Sequence, residues 1–242
     1  MTAESKGEPI LTLSGVGFDY PKLTVIDGLD LCVAKDELVV CVGPSGCGKS
    51  TLLSLLGVHI TPTRGTVERT GQSRTIYQDG GLFPWLTVRE NIAGGLPKTI
   101  LPAARDTKIA EWLEITRLVE FAAHYPHQLS GGMRQRVELA RALAAETDIL
   151  LLDEPFSALD YQSRNRMRRE LVATLAERPR TVVFVTHDIE EAVQIADRVL
   201  VLSGRPMRVA RVLELPPGRA RTPASPGVAE AEQAIMDELG MS

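Results

Sequence analysis

The densest chemical signal in the chain is Gly43-Pro44-Ser45-Gly46-Cys47-Gly48-Lys49-Ser50-Thr51, which fits G-x-x-x-x-G-K-[ST] from Gly43 to Ser50. Glycines let the backbone curl so that successive N–H groups converge on one anion. A helix opening near Lys49 turns the positive end of its dipole to the same point. Lys49 supplies a point charge for the β- and γ-phosphates of a nucleotide, and the Ser50 hydroxyl is placed to ligate Mg²⁺. The second constellation is Asp153-Glu154, two adjacent acids closing the apolar run Ile149-Leu150-Leu151-Leu152. Unpaired carboxylates at a buried strand end are costly without a cation. Their roles divide naturally: Asp153 in the Mg²⁺ shell, and Glu154 to orient and polarise an attacking water.

These groups need elements to hold them. Leu38-Val39-Val40-Cys41-Val42 precedes the loop as an unbroken apolar run of strand length, and Thr51-Leu52-Leu53-Ser54-Leu55-Leu56 follows at helical spacing. Strand, glycine loop and helix form the context that makes the pattern a phosphate site. The strand ending at Asp153 reads as buried and parallel, and open α/β sheets bind ligands at such C-terminal ends. Thr181–Thr186 is another buried strand, ending on His187-Asp188, where His187 is either a γ-phosphate sensor or a capping residue. Ile189–Ala196 reads as a helix, Arg198–Leu202 as a strand and Val209–Leu213 as an edge strand. Upstream, Ile10 to Val33 alternates partially and predicts a small antiparallel sheet. Tyr20, at the end of its first part, either stacks on a purine base or simply packs. Arg74–Gln78 predicts a short strand leaving the core, with Gln78 as a surface amide or as a ligand of Mg²⁺ that touches the attacking water.

Between these strands the chain turns helical. Phe83, Trp85 and Leu86 sit in a Gly/Pro-containing stretch and serve either as the plug of a small subdomain or as a contact surface for another protein. Asp106 to Ala123 has Ile109, Leu113, Thr116 and Val119 near one face, with Trp112 and Ile115 beside it. Ser130 is a natural N-cap for a helix running through Val137 and Leu143. Ser130-Gly131-Gly132 is thus a capped helix start or a second anion-binding geometry. After the turn Ser157-Ala158-Leu159-Asp160, a helix spans Tyr161 to Glu177. Met167, Leu171, Thr174 and Leu175 lie on one side of it, and Arg164, Arg166, Arg168 and Arg169 mostly face solvent. His124 and His127 have no partner spacing and read as structural. Pro216–Gly227 reads as a Pro/Gly-rich linker, leading to a terminal helix with Val228, Ala231, Ile235 and Leu239 on one face.

The 242 residues suit one compact domain or two subdomains. A net charge of −4 points away from a nucleic-acid surface. The three cysteines lack metal-ligand spacing and read as reduced and cytosolic. Met1–Pro9 is polar and acidic, unlike a signal peptide. No apolar run approaches the roughly 20 residues needed to span a bilayer, so action at a membrane would pass through a partner.

The order of phosphate loop, Gln78, Leu129-Ser130-Gly131-Gly132-Met133-Arg134-Gln135, Leu151-Leu152-Asp153-Glu154-Pro155, Ser157-Ala158-Leu159-Asp160 and His187 resembles the ATP-binding subunit of ABC transporters, over about residues 10–213. The resemblance implies an α/β P-loop NTPase fold: a RecA-like core with an antiparallel β subdomain and an inserted α-helical subdomain. Within a single domain 1–242, it assigns 10–78 and 147–213 to the core and β subdomain and 79–146 to the helical signature subdomain. Residues 214–242 are left to the linker and closing helix. It implies an ATPase working with ATP and Mg²⁺ in a head-to-tail homodimer. There ATP lies between residues 43–51 of one chain and Ser130, Gly131, Gly132 and Gln135 of the other. Tyr20 then matches the aromatic stacked on adenine, and Gln78, Ser50 and Asp153 the Mg²⁺ ligands. Glu154, His187 and Lys49 match the catalytic set, and Asp160 the residue coupling the two sites.

Phe83–Asn91, Tyr125–Leu129 and the tail from Leu215 are similar to segments of the nitrate, sulfonate and taurine importer ATPases. That implies import of a small anionic solute, integral membrane permease subunits, a solute-binding protein, no nucleic acid, and a place on the cytoplasmic face of the membrane. A lipid or drug exporter subunit and a soluble non-transport ABC ATPase are the alternatives. The stretch from Gly65 to Ile76 is shorter than those importers usually carry, Asp79-Gly80-Gly81 is atypical, and no long regulatory domain of the sugar-importer kind follows the core.

Overall fold

The computed structural model describes residues 7–77, 81–219 and 221–241. They fall into two compact units: one holds the described residues up to Thr75 with Asp148–Glu154 and those from Pro179 on, the other Ile76–Thr147 with Pro155–Arg178.

In the first unit, β1 (Pro9–Tyr20) and β2 (Leu23–Ala34) pair antiparallel, as their partial alternation predicts, and β4 (Arg64–Arg69) joins the far side of β1. The second sheet contains β3 (Leu38–Val42), β5 (Ser73–Ile76), β6 (Ile149–Asp153), β7 (Thr181–Thr186), β8 (Arg198–Leu202) and β9 (Val209–Glu214), in the order β5-β6-β7-β3-β8-β9. β6, β7, β3 and β8 run parallel, while β9 is an antiparallel edge. Every residue of those four central strands is buried, which is why they read as continuous apolar runs rather than alternating ones. Register sets Val42 beside Thr186 and Asp153 beside Val185, so the C-terminal ends of β3, β6 and β7 finish together. The core fills with Leu52, Leu53, Leu55 and Leu56 of α1 (Lys49–Leu56), with Leu151, Val183 and Val185 from the sheet, and with Ile26 and Leu29 from β2.

Arg198 is buried in an ion pair with the half-buried Glu37. Arg198 Nε and Nη2 donate to the Glu37 carboxylate at 2.7 and 3.1 Å, and Nη2 also reaches Cys32 O at 2.7 Å. Removing one partner leaves an uncompensated charge. Arg198→Ala should therefore cost about 3–5 kcal/mol in urea unfolding, and pairing it with Glu37→Leu should recover much of that loss.

Pro216–Gly227, read as a Pro/Gly-rich linker, is held by two arginines. Arg219 pairs with Asp197 and donates to Asp36 O at 2.8 Å. Arg221, 9% exposed, donates to Ala196 O at 2.8 Å and to Val193 O and Pro216 O. Two guanidiniums tie the stretch to the end of α6 (Ile189–Ile195), and α7 (Val228–Glu238) follows, burying Val228, Ala231 and Ile235.

The second unit is helical: α2 (Val88–Ala93), α3 (Pro102–Thr116), α4 (Gly131–Leu143) and α5 (Tyr161–Glu177). α3 starts earlier than its apolar spacing suggests, because Pro102 suits the first helical position. It stops at Thr116, because Arg117 takes the left-handed conformation at φ 55°. Val119 therefore leaves the apolar face and is exposed. α5 has the predicted limits, but Arg168 is buried and donates to Asn165 Oδ1 instead of facing solvent. Phe83 and Trp85 are 43% and 69% exposed, which rules them out as a plug. Asn91, fully buried, fixes that segment by accepting from Phe83 N at 2.9 Å and donating to the carbonyls of Phe83, Leu86 and Thr87.

Candidate functional site

The phosphate loop leaves β3 at Gly43 and enters α1 at Lys49. Its turn closes with Cys47 N donating to Pro44 O at 3.2 Å. Gly48 caps α1 at φ 120°, and a Cβ there would lie 2.6 Å from Val25 Cγ1 of β2. Only glycine meets both demands. Lys49 is 6% exposed, and its ammonium donates to Gly43 O at 2.8 Å and Pro44 O at 3.1 Å. The charge is thus held over the loop's own backbone by two of its three N–H bonds among the described residues. Pro44, Ser45, Gly46 and Ser50 are exposed, Gly43 and Cys47 are buried, and Thr51 is half-buried. Burial pushes the Cys47 thiol above its ordinary pKa and the Cys41 thiol to about 12, so both stay protonated and inert. Tyr20, half exposed, ends the β1 limb of the hairpin whose β2 limb carries Val25 against Gly48; its ring meets Phe18 edge-on at 5.0 Å.

The acids stand at the ends of neighbouring strands. Asp153, buried, ends β6. Glu154 follows with φ 45°, a backbone state that side chains other than glycine rarely adopt. Its N–H donates to Val185 O at 3.0 Å, and its carboxylate lies 3.1 Å from His187 Nδ1, just beyond β7. The parallel register of β6 and β7 brings these two side chains together. Asp188 caps α6, and His187 does not. Gln78 lies outside the described residues.

In the helical unit Ser130 caps α4, its hydroxyl accepting from Met133 N at 3.3 Å. Gly131 and Gly132 form the first turn, and a Cβ on Gly132 would come within 2.9 Å of Ala158 O. Gln135 is buried and holds the following turn: its Oε1 accepts from Ala158 N at 2.9 Å, and its Nε2 donates to Ser157 Oγ at 3.4 Å. Asp160 caps α5, accepting from Ser163 N at 2.9 Å and Ser163 Oγ at 2.7 Å. These bonds, the backbone one first, hold its carboxyl below the ordinary aspartate range. A lowered native pKa stabilises above the unfolded value, near 4, and that contribution is lost as pH falls through the native one. Between about pH 4 and pH 2 the melting temperature of the native chain should therefore fall more than that of Asp160→Asn, whose amide caps without titrating.

Spacing gave no hint of Arg205. Its Nε donates to Gly46 O from 159 positions away, so no local pattern marks it.

The profile of one family, described as "ABC transporter", matches residues 26–157. This chain belongs to the ABC transporter ATP-binding family. The ABC ATPase is 38% identical over 229 residues to the aliphatic sulfonates import ATP-binding protein SsuB of Bacillus cereus, covering 89% of this chain and 90% of that one. To aliphatic sulfonates import ATP-binding protein SsuB 1 of Rhodococcus jostii it is 41% identical over 235 residues, covering 95% and 93%. Among solved structures it is similar to the dimeric post-hydrolysis state of the ATP-binding cassette MJ0796 bound to ADP and Pi. That similarity has a TM-score of 0.76 and 30% identity over 86% of this chain and 100% of the other. The P-loop NTPase fold of ABC cassettes and an ATP-hydrolysing activity follow from these matches.

Proposed function

We propose that this ABC ATPase drives import of a sulfonate-like small anion as a homodimer on the cytoplasmic face of a membrane permease served by a solute-binding protein. The observation that carries this reading is identity of about two residues in five, over nine-tenths of the chain, to two aliphatic sulfonate import subunits. The exposed Phe83–Trp85 pair, its backbone fixed by Asn91, offers a preformed apolar surface for the permease. Among the described residues no helix is long and apolar enough to cross a membrane.

In this reading residues 43–51 bind the phosphates, with Lys49 shifting from its own loop carbonyls toward the β- and γ-phosphates. Tyr20 stacks on adenine, while Ser130, Gly131 and Gly132 of the second copy close over the γ-phosphate, positioned by Gln135. Asp160 couples the paired sites while it caps α5. The Ser50 hydroxyl and Asp153 carboxylate are hard oxygen donors of the kind Mg²⁺ takes, and with Gln78 they would hold it. Bound there, Mg²⁺ would offset charge on the phosphate oxygens. Glu154 orients and polarises water for in-line attack on the γ-phosphate, and His187 holds that carboxylate in place and faces the developing charge.

The test is to reconstitute the chain with the permease that co-purifies from solubilised membranes and to add the co-purifying binding protein. ATPase activity should rise several-fold when that protein carries an alkanesulfonate. Co-purification with a soluble partner alone, or activity indifferent to the loaded binding protein, would overturn the reading.

A further inference from the structure

The helical unit contains a cavity of about 530 Å³ between the end of α3, Arg136 of α4 and the first turns of α5. Its size falls in the small-molecule range, and its lining is strongly cationic. Arg117, Arg136, Arg166 and Arg169 face it, with Glu170 as the only acid of the lining among the described residues. Asp160, next in the chain to the lining residue Tyr161, accepts from Ser163, and its charge also acts on Arg136.

Three of the four guanidiniums are anchored by backbone, not by carboxylates. Arg136 Nη1 donates to Thr116 O at 2.7 Å, Arg166 Nη2 to Glu114 O at 3.2 Å, and Arg169 Nε to Asn165 O at 3.3 Å. Arg166 Nε is buried and makes no hydrogen bond among the described residues. Burial disfavours the charge on Arg136; Asp160 offsets this in part, while Arg117 and Arg166 repel it. Clustered like charges at a partly desolvated site are costly unless an opposite charge joins them. The planar forks are built to hold tetrahedral oxyanions through paired N–H bonds.

We infer that this cavity binds a small multivalent oxyanion — a sulfate, sulfonate or phosphate group — through Arg117, Arg136, Arg166 and Arg169. The site is separate from the phosphate loop, which belongs to the other unit. Arg136 adjoins Gln135, which holds the Ser157–Ala158 turn, and Asp160 after that turn caps α5. An anion bridging α4 and α5 therefore stiffens the turn that leads from β6 to the Asp160 cap.

Calorimetric titration of the full chain with sodium sulfate, sodium phosphate and sodium ethanesulfonate, each at constant ionic strength with chloride as control, tests this. The native chain and Lys49→Ala should each show one saturable site per chain for at least one of these salts. Arg117→Gln/Arg169→Gln should bind at least about tenfold more weakly. That variant spares the contacts of Arg136 and Arg166 to Thr116 O and Glu114 O, and its melting temperature checks the fold. Should it fail to fold, the side-chain Nε–Hε NMR signal of Arg166 in the native chain serves instead, and it should shift saturably with the same salt. Binding lost in Lys49→Ala but kept in the double variant would assign the anion to the phosphate loop and overturn the inference. So would the absence of saturable binding in the native chain.

Discussion

Glu154→Gln should slow steady-state ATP hydrolysis by about 10²–10⁴-fold, the range for loss of a positioned general base, while ATP affinity stays near native. The amide keeps the shape of the side chain and its contact with His187 but cannot accept a proton or polarise water to the same degree. Trapped before hydrolysis, the variant should run as a dimer on sizing in MgATP. Backbone strain gives a second and independent readout. Glu154 sits at φ 45°, a conformation that costs a non-glycine residue on the order of 1–3 kcal/mol. Glu154→Gly should relieve that cost, so its melting temperature should hold or rise while turnover still collapses. A residue kept at a strained position against its effect on stability is held there for its chemistry. Native turnover in Glu154→Gln would remove the carboxylate from that role, and instability of the glycine variant would make the position a structural one.

Much of this site was legible because its parts sit at the ends of buried strands. A strand covered on both faces is mostly apolar, so the residues that break its run stand out: Gly43 after β3, Asp153-Glu154 at the close of β6, His187 after β7. The limits of α5 were equally readable, because Asp160 is a strong cap and the apolar spacing from Met167 to Leu175 is regular. Arginines were the main difficulty. Spacing places Arg168 toward solvent, yet it is buried, and the linker reading of Pro216–Gly227 misses Arg219 and Arg221, whose partners Asp197 and Ala196 O lie outside any local window. The same holds for Arg205 on Gly46 O and for Asn91, whose role is to satisfy four backbone groups of a neighbouring loop. The end of α3 escaped because a left-handed Arg117 carries no glycine to announce it.

Lys49→Ala should abolish detectable nucleotide binding, with affinity falling by at least about 100-fold. In the proposed site one ammonium serves both charged phosphates, and each charge-assisted hydrogen bond lost is worth about 1.5–3 kcal/mol, with about 1.4 kcal/mol per factor of ten. A thermal-shift titration reads the loss directly, because a ligand at 100 times its Kd stabilises by about 2.7 kcal/mol and raises the melting temperature accordingly. The native chain should show that rise with MgATP, and the variant should not. A structural contribution must be separated, since Lys49 also satisfies Gly43 O and Pro44 O. Without nucleotide the variant should therefore melt slightly below the native chain, as two carbonyls lose their donor. Lys49→Arg divides the two effects. It keeps the positive charge and can still donate to the loop, but its planar fork cannot place a compact point charge between two phosphates. Its melting temperature without ligand should approach the native value while its nucleotide affinity stays low. If Lys49→Ala instead binds MgATP as the native chain does, the phosphates rest elsewhere, and the buried ammonium serves only to close its own loop.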